Sequence, residues 1–277
     1  MGRELYAVEP VFRACLDHLD RRVGQNSDLS VIARMYDPGK KKSDPFSDTV
    51  LSSLAIFMLE CALTETLRHY GPSPDMVLGV SLGAFTASAV ARAVEREAML
   101  DAILELFTLL EKTCAPGVML ALVGPGAKAG LPELRELAET AFEGDDGLRL
   151  VSMPAENADR VETVLVRSGI AFQKLPVALA YHSRWLEPAK MPVLHALERL
   201  AFSHPDKPVE ICLAEQSSID APGLWNCMRS PMRWGETVRR LEMTGPHLYV
   251  DLGPSGTLAT LLRHSLGPDN QSVIVSL

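Results

Sequence analysis

Five residues, Gly79-Val80-Ser81-Leu82-Gly83, set a serine between two glycines. A serine hydroxyl is a weak nucleophile and needs a base to take its proton. The G-x-S-x-G spacing permits a sharp turn from strand to helix with close packing beneath the serine. Such a turn lifts Ser81 Oγ clear of the sheet. It also aims a helix N-terminus at that oxygen, so that the Leu82 N–H can bind a developing oxyanion. The pentapeptide alone is only moderately specific. Its context strengthens it: the apolar run Met76–Gly79 comes before, and the small-residue segment Gly83–Ala93 comes after.

Seven histidines are candidate bases, at 18, 69, 182, 195, 204, 247 and 264. His18 sits among Asp17, Asp20 and Arg21 and reads as a surface residue; His204 and His264 lie in polar ends. His182, in Leu179-Ala180-Tyr181-His182-Ser183, falls between a strand-like run and a helix, where a loop residue can reach a cleft. The five cysteines are scattered without a CxxC pair, giving no metal-site spacing and suggesting reduced thiols of a cytoplasmic protein.

These residues need a scaffold. The chain has 277 residues, 47% of them hydrophobic and 22% charged, which excludes disordered, collagen-like and disulfide-scaffold classes. A net charge of −8 without a basic stripe argues against nucleic acid. The longest apolar run, Leu51–Leu63, is interrupted by Ser52, Ser53 and Glu60 and is shorter than the roughly 20 residues of a membrane span. Arg3, Glu4 and Glu9 argue against a secretory leader.

Apolar spacing predicts helices over about 4–24, 49–70, 83–93, 95–113, 131–142, 156–168, 188–201, 231–244 and 256–265. Strands are expected near 76–79, 118–123, 148–152, 171–175, 209–214, 247–251 and 272–277. The alternation is that of an α/β fold with a parallel sheet. Residues 117–176 read as a small inserted domain, with 1–116 and 177–277 forming the larger body. The Pro- and Gly-containing stretch 37–48, with Lys40–Lys42, reads as a solvated loop or a contact for an acidic partner.

At this point a resemblance enters. Gly79–Phe85, Tyr181-His182-Ser183 with Glu187-Pro188, and Asp251-Leu252-Gly253-Pro254 resemble, in order, three motifs of the malonyl-CoA:acyl-carrier-protein transacylase family, which includes polyketide synthase acyltransferases. Met1–Phe12 and Leu224–Trp234 resemble further stretches of it, so the likeness spans nearly the whole chain. The closing region looks most like stand-alone enzymes of trans-acyltransferase assembly lines. The resemblance implies an α/β-hydrolase-like parallel sheet with a small ferredoxin-like insert. It also implies a Ser81–His182 dyad that holds an acyl group as a serine ester, with Leu82 as oxyanion donor. A backbone carbonyl near Asn226–Cys227 would orient the histidine. No bound cofactor or metal is implied. CoA or phosphopantetheine thioesters are the substrates, an acyl carrier protein is the partner, and a cytoplasmic monomer is expected.

Several departures qualify the likeness. The family opens with a strand ending in a Gly-Gln-Gly loop, whose Gln gives a second oxyanion donor; residue 1 aligns just past that loop, so either the true start lies upstream or the strand and half of the oxyanion hole are lacking. Losing one such donor typically costs about 10²–10³ in rate. Val80 and Ala84 replace a usual His and Glu, and Ser53-Leu54 a usual Gln-Pro. Malonyl-specific members hold the substrate carboxylate with an Arg that aligns with Leu106, and no Arg lies between Arg96 and Arg135. Leucine cannot pair a carboxylate, so a neutral acyl group is expected. One hairpin of the insert is expected to be missing near 144–153. Three readings follow: an acyltransferase, an acyl-carrier-protein hydrolase, or a non-catalytic carrier-protein binder.

Other candidates read as structure. Trp185, Trp225 and Trp234 suit a core or cleft wall. Met119, Met153, Met191, Met228 and Met232 suit packing. Gly253–Gly256 lacks a P-loop lysine and reads as a turn. Arg184 either faces solvent or meets a substrate phosphate.

Overall fold

A computed structural model describes residues 1–39, 48–124, 126, 132–144, 147–213 and 218–277. The Lys40–Lys42 loop lies outside the described residues. The chain opens with α1 (Arg3–Val8) and α2 (Pro10–Asn26), not one continuous helix. Glu9 precedes Pro10 and is driven out of the helical region, to φ −102° and ψ 109°. Its carboxylate then caps α2 by accepting from Val11 N at 3.0 Å. Phe12, Cys15, Leu16, Leu19 and Val23 form the buried stripe of α2.

After the short α3 (Val31–Met35), α4 (Thr49–Tyr70) runs at its expected bounds. Asp48 caps it, accepting from Leu51 N at 2.9 Å. By length and composition this helix could cross a bilayer, unlike the interrupted run read from sequence. Here Leu54, Ala55, Phe57, Met58 and Ala62 are fully buried against neighbouring protein. It packs between α2 and α6 (Arg96–Thr113) as a core helix.

Between them come β1 (Val77–Gly79) and α5 (Gly83–Val90). The next elements are β2 (Gly117–Val123), β3 (Glu139–Glu143), β4 (Arg149–Pro154), α7 (Ala158–Arg167) and β5 (Ala171–Lys174). The remainder is α8 (Lys190–Leu197), β6 (Val209–Ile211), α9 (Ala221–Arg229), α10 (Trp234–Glu242), β7 (Leu248–Asp251), α11 (Thr257–Ser265) and β8 (Val273–Ser276).

The parallel strands differ from the single sheet expected. β1 pairs with β6 and β7 with β8, both parallel, as two separate ladders among the described residues. The other four strands form one antiparallel sheet in the order β3-β4-β2-β5. In it β4 separates β2 from β3, and β2 separates β4 from β5. The expected helix over 131–142 is instead a 3-10 turn at Pro132–Leu134 followed by β3. Its two apolar residues, Ala141 and Phe142, are consecutive and both buried, at the register shift that breaks the strand's alternation. The hairpin expected to be missing is present as β3–β4, with a register shift between Thr140 and Phe142.

Candidate active site

β1 leads straight into the glycine-flanked turn. A Cβ on Gly79 would meet Ala84 Cα at 2.5 Å, so only glycine lets strand and helix pack this closely. Ser81 takes φ +55°, a left-handed backbone that L-residues other than Gly, Asn and Asp rarely adopt. Gly83, Ala84 and Phe85 donate to the carbonyls of Val80, Ser81 and Leu82. The Leu82 N–H has no acceptor among the described residues and lies at the first turn of α5.

His182 sits on the loop before the Arg184–Ala189 3-10 turn and is 2% exposed. It too has a left-handed backbone, φ +57°, and its N–H donates to Met228 O at 2.8 Å. Its Nε2 lies 2.9 Å from Ser81 Oγ, and its Nδ1 lies 2.8 Å from Ser230 O. A carbonyl can only accept, so Nδ1 carries the proton and Nε2 presents a lone pair to the serine hydroxyl. Burial lowers the His182 pKa to about 4, against the upward pull of the Ser230 carbonyl. The imidazole is therefore neutral near pH 7 and able to accept a proton.

The orienting carbonyl is not that of Asn226 or Cys227, as expected. Both lie inside α9, and Asn226 O is already taken by Ser230 N at 2.9 Å. The helix ends at Ser230, φ −90° and ψ 152°, and its released carbonyl turns to the histidine. The sequence gives a signal for this in Pro231, which bars continuation of the helix.

Leu106 on α6 is fully buried, in the same apolar cluster that Leu82 and Tyr181 pack against. Arg184 is exposed to solvent, the first of its two expected placements, and there it pairs with Glu139 at 2.9 Å and stacks on Trp185. Asp251 closes the turn of its motif, accepting from Gly253 N and Ala259 N. Trp225 and Trp234 are buried, whereas Met191 is exposed rather than packed. His18 pairs with Glu97 at the surface. No cluster of metal-ligand type occurs among the described residues.

An α/β scaffold that turns a serine out of a strand–helix elbow, with a neutral histidine in hydrogen-bond reach, defines a class built for nucleophilic chemistry. Within it, the chain belongs to the acyl transferase domain family, whose model matches residues 1–275. It is 34% identical over 273 residues to the polyketide biosynthesis acyltransferase homolog PksD of Bacillus subtilis, covering 98% of this chain and 84% of that protein. The homolog BaeD of Bacillus velezensis is 34% identical over 269 residues, covering 96% and 83%. Among solved structures, an acyltransferase domain of the salinomycin polyketide synthase superposes with a TM-score of 0.84 at 25% identity, over all of this chain and 65% of that one. The malonyl CoA-acyl carrier protein transacylase of Coxiella burnetii shares the fold, with a TM-score of 0.83 at 19% identity over 100% of this chain and 89% of that one.

Proposed function

We propose that this protein is an acyltransferase of polyketide assembly that moves an acyl group between thioesters through an ester on Ser81. The observation that carries the reading is the 2.9 Å contact between Ser81 Oγ and His182 Nε2, with Ser230 O fixing the other ring nitrogen. His182 takes the serine proton as Oγ attacks the thioester carbonyl. The Leu82 N–H stabilises the tetrahedral oxyanion. Collapse breaks the C–S bond, and the leaving thiol takes the proton from Nε2. An acyl-carrier-protein phosphopantetheine thiol then reverses these steps and receives the acyl group.

The substrate is a CoA or carrier-protein thioester; no bound cofactor takes part. The acyl group is neutral. Leu106 is buried in an apolar cluster, and a free carboxylate placed against it would be desolvated and unpaired. The antiparallel sheet of residues 117–176 acts as a small subdomain on the body formed by 1–116 and 177–277, and the enzyme works as a cytoplasmic monomer. The PksD and BaeD relatives, both named for polyketide biosynthesis, support the pathway.

Intact-protein mass spectrometry with a panel of acyl-CoAs and acyl carriers, followed by empty carrier, tests this reading. An adduct on Ser81 that passes to the carrier is expected. An adduct lost to water with release of free acid would replace the transferase by a hydrolase. No adduct with any donor would leave only a carrier-protein binder.

A further inference from the structure

The small antiparallel sheet holds the turn that carries His182 and the segment that follows Ser230 from two places two residues apart on β3. Glu139 Oε2 accepts from the Arg184 backbone N–H at 2.9 Å, and its Oε1 accepts from Arg184 Nη1, also at 2.9 Å. Arg184 Nη2 reaches Glu136 O at 3.3 Å, and the guanidinium lies 4.5 Å over the Trp185 ring. Farther along the same strand, Ala141 O accepts from Met232 N at 2.8 Å. Met232 is two residues beyond Ser230, whose carbonyl holds the imidazole. One short strand therefore touches the chain just after the histidine and just after the carbonyl that orients it.

We infer that Glu139 is a positioning residue for His182, and that through it the small sheet sets the distance between Nε2 and Ser81 Oγ.

Three observations support this. His182 holds a left-handed backbone, which costs about 1–2 kcal/mol and persists only where neighbours over-determine it. The Glu139 bond to the Arg184 N–H is such a constraint, two residues from the strained site. Next, β3 carries an irregularity between Thr140 and Phe142, directly after Glu139. Irregularities of this kind re-aim a side chain and recur beside active sites. Finally, stability does not account for the pair. Arg184 and Glu139 side chains are 43% and 27% exposed, and exposed ion pairs contribute little. The bond that matters is the one to the backbone, which survives loss of the Arg184 side chain.

The inference rests on the Ser81–His182 reading, and its test separates the two. Full-length wild type, Glu139→Ala, Glu139→Gln and Arg184→Ala are reacted with a fluorophosphonate probe. In that reaction the Ser81 Oγ–P bond forms, fluoride leaves and His182 takes the proton. Glu139→Ala is expected to lower the maximal labelling rate about tenfold while leaving half-saturating probe concentration unchanged. Glu139→Gln keeps an acceptor for the Arg184 N–H and restores most of the rate. Arg184→Ala stays within about twofold of wild type, since the backbone bond remains. All four are compared below their melting transitions, and the His182 Nδ1 proton is followed by NMR; it should broaden or shift in Glu139→Ala alone. Wild-type labelling by Glu139→Ala, equal slowing by Glu139→Ala and Arg184→Ala, or an unchanged Nδ1 proton would overturn the inference. A wild type that is not labelled at Ser81 would instead count against the Ser–His reading, and the NMR comparison would still decide the role of Glu139.

Discussion

Ser81 Oγ and His182 Nε2 stand 2.9 Å apart although 101 residues separate them, and both residues hold left-handed backbones, φ +55° and +57°. The two strained positions have different origins. Ser81 is bent by the packing of Gly79 against Ala84, and His182 by bonds to Met228 and Ser230. The strain is thus concentrated at the two groups whose mutual distance sets the chemistry.

That strain predicts an order of stabilities for variants that all lack the nucleophile. Ser81→Gly relieves about 1–2 kcal/mol of left-handed cost and gives back about 0.4–1 kcal/mol through a freer unfolded chain. It should therefore exceed Ser81→Ala in stability by about 0.5–1 kcal/mol. The same pair at Ser183, φ −148°, should reverse the order, with alanine the more stable. Urea unfolding midpoints check this, and a Ser81→Ala protein at least as stable as Ser81→Gly would show that Ser81 carries no strain.

Acid should act on this fold through two groups of opposite sign, the buried His182 and the partly buried Glu60. His182 has a folded pKa near 4 against about 6.5 unfolded, so the unfolded chain binds the proton first. Its contribution is present above pH 6.5 and is lost as pH falls toward 4, about 3 kcal/mol in all. Glu60 on α4 is pushed up to about 7, chiefly by burial and further by the nearby Asp251 carboxylate. The folded state holds that proton, so its contribution is present at low pH and is lost as pH rises from about 4.5 through 7. Between pH 4.5 and 6.5 the two slopes oppose each other. Relative to wild type, His182→Gln should make stability fall more steeply with rising pH, and Glu60→Gln should make it rise. Denaturant midpoints at three pH values check this; a common slope in all three proteins would refute it. Labelling of wild-type Ser81 should also persist at pH 5, where an ordinary imidazole is mostly protonated.

How far the sequence carries can be judged from particular elements. The elbow is legible in Gly79 and Gly83 themselves, whereas His182 is one of seven candidate histidines and is singled out only by the likeness of Tyr181-His182-Ser183 to a family motif. Helix α4 was legible in extent because its apolar residues continue on every side and Asp48 and Gly71 mark its ends. β3 was not. Its charged and apolar residues mimic a helical stripe, and only pairing with β4 makes it a strand. The orienting carbonyl was missed by three to four residues, because a helix boundary decides which carbonyl is free. The Glu139–Arg184 contact joins residues 45 apart in the chain, and no periodicity reports such a pairing.

Gly117 opens β2 directly on the segment that leads to the histidine. A Cβ there would meet Ala180 N at 2.2 Å, backbone against backbone, while Gly117 N donates to Ala178 O at 2.8 Å. Gly117→Ala must displace residues 178–180, and overpacking of this kind costs about 1–3 kcal/mol. Since Ala180 lies two residues from His182, labelling of Ser81 should fall by more than the loss of folded protein explains. Thermal unfolding measured beside probe labelling checks this, and a Gly117→Ala protein with wild-type kinetics would show that the His182 turn is insulated from β2.

Leu106→Arg tests the selectivity argument at its source. Leu106 is fully buried in a cluster of apolar side chains. A guanidinium placed there is charged and without a partner, so the free variant should lose several kcal/mol of stability. On the proposed reading the acyl group lies against residue 106, and a substrate carboxylate would then supply the missing partner in bidentate geometry. The variant should accordingly shift the ratio of malonyl to acetyl loading on Ser81 toward malonyl, by about tenfold or more, and malonyl-CoA should raise its melting temperature more than acetyl-CoA does. Intact mass spectrometry of Ser81 after exposure to equal concentrations of the two thioesters measures the ratio. If Leu106→Arg folds and its malonyl ratio does not move, the side chain at 106 does not face the acyl group, and the neutral-acyl reading loses its structural basis.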